Sequence, residues 1–278
     1  MISAASGNRM QLIDIGANLT DKSFARDQHD VLARASAAGV TTCIVTGTTA
    51  HNTAAAIALC RLARATSGYD LYATAGLHPH HAQDWTTDSA TALAQQATAA
   101  EVVAIGETGL DFYRDLSPRP AQERAFEAQL EIAATLGLPV FMHARDAHDR
   151  QLAILRNYRH RLTDGVIHCF TGDRHSLFNY LDLDLHIGIT GWICDPRRGA
   201  ELQQLVTQIP LNRLMLETDA PYLLPRTLQP QPKNRRNEPA YLPCILQTVA
   251  ACRHEHEALI AAATTATARQ FFRLAEKM

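Results

Sequence analysis

Val102-Val103-Ala104-Ile105-Gly106-Glu107 decides how this chain of 278 residues folds: four apolar residues stand directly before a glycine and a carboxylate. An apolar run without alternation marks a strand buried on both faces of a parallel sheet. Outward from residues 102–105, such runs recur at 11–15, 40–46, 71–75, 139–142, 165–167, 185–189 and 214–216. Stretches with helical spacing lie between most of them, at 27–38, 49–65, 120–136 and 200–208. Strand starts at 11, 40, 71, 102, 139, 165, 185 and 214 are 20 to 37 residues apart, the spacing of repeated βα units. Eight units predict an α/β fold of the (β/α)8 TIM-barrel kind, because a doubly wound sheet would stop at five or six strands. Residues 220–239 carry Pro221, Pro225, Pro230, Pro232 and Pro239, too many for a helix, and read as a long irregular loop after strand eight. A helix beginning near Pro239 and an Ala-rich helix over 257–274 follow.

Composition narrows the possibilities. Lysine and arginine total 26 against 28 acidic residues, so the net charge of −2 excludes a polybasic nucleic-acid wrapper and makes any phosphate binding local. A hydrophobic content of 46% with 19% charged residues supports a packed core rather than disorder. The six cysteines form no CxxC pair, which argues against a zinc ribbon or thioredoxin-type site and for reduced thiols in a cytoplasmic protein. No apolar run approaches the roughly 18 residues of a spanning helix. Residues 1–10 lack the apolar core of a secretory signal and are expected to be a disordered extension, with residues 11–278 forming one domain.

The chemistry gathers at the ends of the runs. Glu107 follows residues 102–105, His78 follows 71–75, His143 follows 139–142, His168 follows 165–167, and Asp219 lies just past 214–216. In a barrel all parallel strands end on one rim, so these residues converge there. Each alone has a structural explanation, a hydrogen-bonded core histidine or a carboxylate paired with an arginine. Together they form an N/O donor set suited to Zn, Mn, Fe or Ni, and to Mg where carboxylates and waters dominate. A hydrolytic metal site is the expectation.

Five blocks carry a resemblance: Gly76-Leu77-His78-Pro79-His80, Ile105-Gly106-Glu107-Thr108-Gly109-Leu110-Asp111, His143-Ala144-Arg145-Asp146-Ala147, His168-Cys169-Phe170-Thr171-Gly172 and Glu217-Thr218-Asp219-Ala220-Pro221-Tyr222-Leu223. In kind and order they resemble the signature blocks of the TatD family of metal-dependent deoxyribonucleases, over nearly the whole chain. Gly191-Trp192-Ile193-Cys194-Asp195 and Arg236-Asn237-Glu238-Pro239 point to the TatD branch. The resemblance implies a 3′→5′ exonuclease that prefers single-stranded DNA, uses Mg2+ and acts in DNA repair or degradation; the sequence leaves RNA open as an alternative polynucleotide. One departure stands out. Where most members carry a His-x-His pair at the end of strand one, this chain reads Asp14-Ile15-Gly16-Ala17-Asn18, which weakens the case for a second metal.

Phosphodiester hydrolysis needs a metal to polarise a phosphoryl oxygen and to deliver water. The expected ligands are Glu107, His143 and His168, with Asp219 added by its place in the family motif as further ligand and general base. Glu217 either faces the rim, supports it from behind or pairs inside the core. His78 contacts phosphate, protonates the leaving group or is structural. Arg145, His80, Asn237 and Arg236 are the expected substrate contacts. For Arg145 an ion pair with Asp111 or Asp146 is the alternative. Arg226, Lys233, Arg235 and Arg236 load positive charge into the proline-rich loop, to guide a nucleic-acid backbone or simply to be solvated. Trp85, Phe112, Tyr113, Trp192 and Tyr222 either stack bases or pack loops. Two imidazoles also favour Mn2+ or Zn2+ over Mg2+. A small-molecule amidohydrolase or esterase on the same barrel is one rival reading, and a non-catalytic protein linked to protein export is another. Nothing in the sequence demands more than a monomer.

Overall fold

A computed structural model of the chain describes residues 10–275. The expected extension over residues 1–10 lies, apart from Met10, outside the described residues. Eight parallel strands run in sequential order: β1 (Leu12–Ala17), β2 (Val40–Val45), β3 (Asp70–Ala75), β4 (Val102–Asp111), β5 (Val140–Arg145), β6 (Gly165–Ile167), β7 (His186–Ile189) and β8 (Leu214–Leu216). Helices alternate with them: α1 (Gln28–Ala37), α2 (Ala50–Thr66), α3 (Thr87–Gln96), α4 (Arg119–Leu136), α5 (His148–Tyr158), α6 (Arg174–Asp182) and α7 (Ala200–Leu205). Two more, α8 (Leu242–Arg253) and α9 (Glu257–Phe272), finish the chain. This is the expected (β/α)8 barrel, and residues 220–238 form the irregular loop after β8.

Local chemistry sets the helix starts. The hydroxyls of Thr49 and Thr86 and the carboxylate of Asp173 accept from the backbone N–H groups of Asn52, Ser89 and Ser176, capping α2, α3 and α6. Two apolar clusters hold the layers together. The larger fills the space between strands and helices. The smaller gathers Ile13, Ile15, Ile44, Ala104, Phe141, Val166 and Met215 from the strands with Ala268, Phe271 and Phe272 of α9.

Two strands continue past their apolar runs. Glu107 and His143 were expected just beyond β4 and β5 but lie inside them. Between the pairs Ile105↔Val140 and Thr108↔Met142, β4 carries one residue more than β5, a bulge at Gly106-Glu107 that re-aims the carboxylate. Gly106 has φ 147°, and a Cβ there would run into the backbone of Phe141. A similar shift in β1 separates Asp14↔Cys43 from Ala17↔Val45.

The barrel closes between β1 and the residues after β8. Ala17 and Ala220 form a parallel bridge, Asn18 N–H donates to Ala220 O at 2.6 Å, and Asp219 N–H donates to Gly16 O at 2.8 Å. Beneath them the buried Asp14 carboxylate accepts from Thr218 N–H at 2.9 Å and from its hydroxyl at 2.5 Å. Burial pushes the Asp14 carboxyl up to about 7, with Glu217 adding to the rise while the Thr218 and Gly16 hydrogen bonds oppose it.

Candidate metal centre

One oxygen organises the rim. Glu107 Oε1 lies 2.7 Å from His168 Nε2, 3.2 Å from His143 Nδ1 and 3.2 Å from His78 Nε2. Donors about 2.1 Å from a shared ion sit roughly 3 Å apart, so these spacings suit a transition-metal or zinc-like coordination shell. The ligand atoms of His78, Glu107 and His143 all lie within 4.8 Å of one another. His78 thus stands among the side chains placed so that they could hold an ion.

Burial alone would push the Glu107 carboxyl up, but the charges of His168 and His78 and hydrogen bonds from His143 and His168 hold it well below the usual carboxylate range. Burial would likewise lower His168 and His143, yet the carboxylates around them raise both. At His78 burial wins and brings the imidazole down to about 4.

Two of the imidazoles, His143 and His168, are held from behind. Asp111 Oδ2 faces His143 Nε2 at 3.2 Å and His80 Nε2 at 2.7 Å, leaving His143 Nδ1 aimed at Glu107. Backbone N–H groups of Tyr113 and Arg114 anchor the same carboxylate through Oδ1. Glu217 is fully buried, accepts from Cys169 N–H and faces His168 Nδ1 at 3.4 Å. Cβ atoms at Gly16 and Gly188 would both press on its carboxylate, so glycine at the departure from His-x-His makes room for it. Asn18, the other departure, donates its amide to Asp219 Oδ1 at 2.9 Å. Asp219 is half-buried on the cavity wall, and desolvation pushes its carboxyl up to about 7, with Glu107 and Glu217 raising it and His168 lowering it.

Glu107, His78, His143 and His168 line a cavity of about 610 Å³ that includes Asp219, Arg145, His80, Trp192 and Tyr222. Arg145 lies 4.6 Å from the Tyr113 ring and 5.7 Å from the Trp192 ring, in place of the alternative ion pair with Asp111 or Asp146. Trp85 and Phe112 pack against the core. Two expected substrate contacts are corrected. Arg236 is 11% exposed and committed to Asp27 (2.6 Å) and Glu238 (2.7 Å), stacked 4.6 Å over Phe24. Asn237 is fully buried, with its amide donating to Thr218 O and Tyr222 O at 2.9 and 2.7 Å. Both strap the loop down. Asp111 and Asn18 are the supporting residues that sequence reasoning missed, although Asp111 ends the quoted Glu107 block.

A parallel eight-stranded barrel with imidazole and carboxylate donors at the C-terminal ends of its strands defines a metal-dependent hydrolase. Within that class the chain belongs to the TatD related DNase family, whose model matches residues 13–273. It is 52% identical over 264 residues to a protein of Pantoea sp. named 3′-5′ ssDNA/RNA exonuclease TatD, covering 95% of this chain and all of that one. A protein of Salmonella typhimurium with the same name is 50% identical over 261 residues, 94% of this chain and 98% of the relative. The crystal structure of a TatD homologue from Escherichia coli superposes with a TM-score of 0.85 at 30% identity, over 96% and 99% of the two chains. The chain is a hydrolytic nuclease, and these matches favour that reading over a small-molecule amidohydrolase or an export-linked binding protein.

Proposed function

We propose that this chain removes nucleotides from the 3′ end of single-stranded DNA, and of RNA, by metal-assisted hydrolysis in DNA repair or degradation. The observation that carries the mechanism is the convergence of three imidazoles on Glu107 Oε1 within the cavity that Asp219 also lines. Glu107, His143, His168 and His78 would hold a divalent cation, with Asp219 beside them, and the cation would supply polarisation of the phosphoryl oxygen and the attacking water and neutralisation of charge on the leaving oxygen.

Asp219 takes the proton of the attacking water, its carboxylate oriented by Asn18. Arg145 and His80 contact the phosphate from the cavity wall, and Glu217 acts through His168 as a positioning residue. The identities and names of the Pantoea and Salmonella relatives support the polarity and the single-stranded substrate. Mg2+ follows from the family resemblance, while the imidazole-rich donor set favours Mn2+ or Zn2+.

We place the work in the cytoplasm, with residues 11–278 acting as one monomeric domain. Six free cysteines support that setting. Among the described residues no helix is long and apolar enough to cross a membrane.

The test is degradation of 5′-labelled single-stranded DNA with Mg2+, Mn2+, Zn2+ or EDTA, beside His143→Ala and Asp219→Asn. A ladder shortening from the 3′ end, dependent on metal and lost in both variants, is expected. Cleavage that survives EDTA, or variants as active as the parent, would overturn the mechanism.

A further inference from the structure

We propose that a second cavity, on the other side of Trp192 from the Glu107 cluster, is the subsite for nucleotides 5′ of the scissile bond. It encloses about 680 Å³ and shares Trp192 and Leu223 with the first cavity. This inference rests on the exonuclease reading, because an enzyme that removes terminal nucleotides must also hold the strand that remains.

Charge separates the two cavities. The first presents Asp21, Glu107 and Asp219 against Arg114 and Arg145, so a further phosphodiester there meets carboxylates. The second presents Arg198, Arg226 and Arg235 against Asp195 alone. In a chain of net charge −2 this concentration of guanidinium groups suits a polyanion.

The arginines are placed in advance. Asp195 Oδ2 pairs with Arg226 Nε at 2.8 Å and with Arg198 Nε at 3.3 Å, leaving their terminal nitrogens for phosphate oxygens. Arg235 makes no ion pair among the described residues. The Gln231 amide donates to Pro225 O at 3.1 Å and to Leu228 O at 3.0 Å, pinning the proline-rich loop that carries Arg226 and Arg235. Trp192 links the two cavities. Arg145 from the first lies 5.7 Å from its ring and Arg198 from the second 4.9 Å, so the indole forms a wall on which a base next to the reacting phosphate can stack.

The experiment measures binding of oligothymidylates of two, four and eight residues by fluorescence anisotropy in EDTA, at several salt concentrations, and kcat/KM for the same oligonucleotides with metal. The wild-type chain should gain about 5- to 150-fold in affinity from two to four residues, the range of one stacked base. In Arg226→Gln/Arg235→Gln that gain should shrink, and the slope of log affinity against log salt should fall by about 1.4, or roughly 0.7 per lost phosphate contact. Arg235→Gln alone breaks no ion pair and should carry about half of that change, which guards against a folding defect in the double variant. Unchanged length dependence and salt slope in both variants, with wild-type cleavage intact, would overturn the subsite and leave the nuclease standing. A wild-type chain that neither binds nor cleaves any of the oligonucleotides would overturn both.

Discussion

Asn18 donates its side-chain amide to Asp219 across 2.9 Å, joining the end of β1 to the residue just past β8 at the seam of the barrel. At this position, one of the two where the chain departs from His-x-His, the side chain instead donates to a carboxylate. Desolvation raises that carboxyl to about 7, and the Asn18 hydrogen bond favours its ionised form. Asn18→Leu removes the donor, so ionisation moves to higher pH. The acidic limb of the kcat/KM profile should shift alkaline by about one unit, the equivalent of a hydrogen bond worth ~1.4 kcal/mol. A profile that drops without moving would show that Asn18 does not act through Asp219.

Asp111 fixes His143 by its Nε2 and leaves Nδ1 for the cluster. Asp111→Asn should weaken metal affinity about 10- to 100-fold with little change in maximal activity at saturating metal. Calorimetric titration with Mn2+ measures the first and metal-dependent turnover the second. Equal affinities would remove Asp111 from the site.

Arg236 was expected at the substrate and is found between Asp27 and Glu238. Arg236→Ala should therefore cost stability, not DNA affinity. Losing the shared cation of two carboxylates, one of them partly exposed, should cost about 2 kcal/mol, or a Tm lower by roughly 4–8 °C. Thermal melting and single-strand binding separate the outcomes, and a normal Tm with weakened binding would restore the original expectation.

Asp14 makes stability depend on pH. Its folded carboxyl sits near 7 against an ordinary 3.8, so the folded chain retains a proton that the unfolded chain has released. Stability from this group is therefore highest below about pH 4, declines by up to ~1.4 kcal/mol per pH unit between about 4 and 7, and is flat above. Asp14→Asn should abolish that slope. Denaturant unfolding at pH 5, 6 and 7 measures it, and parallel curves for parent and variant would contradict the assignment.

Most of the architecture was legible because the strands are buried on both faces, and apolar runs mark such strands regardless of their partners. The continuation of β4 through Gly106-Glu107-Thr108-Gly109 was not, since a bulge with two glycines and a carboxylate breaks the pattern. Glu107, His143 and His168 were legible as a group because strand ends share one rim. Arg236 misled because charge in a loop near the site looks available until its acid partner is known, and Asp27 lies 209 positions away in sequence. Asp111 was missed for a related reason: its meaning comes from His80 and His143, which other elements bring to it.

The seam between β1 and the residues after β8 also orders events in time. Glu107, His143 and His168 leave the ribosome well before Asp219, and the bridge between Ala17 and Ala220 must wait for the last quarter of the chain. Domains emerge N-terminus first, so a nascent or truncated chain can hold the metal donors yet lack the carboxylate that finishes the site.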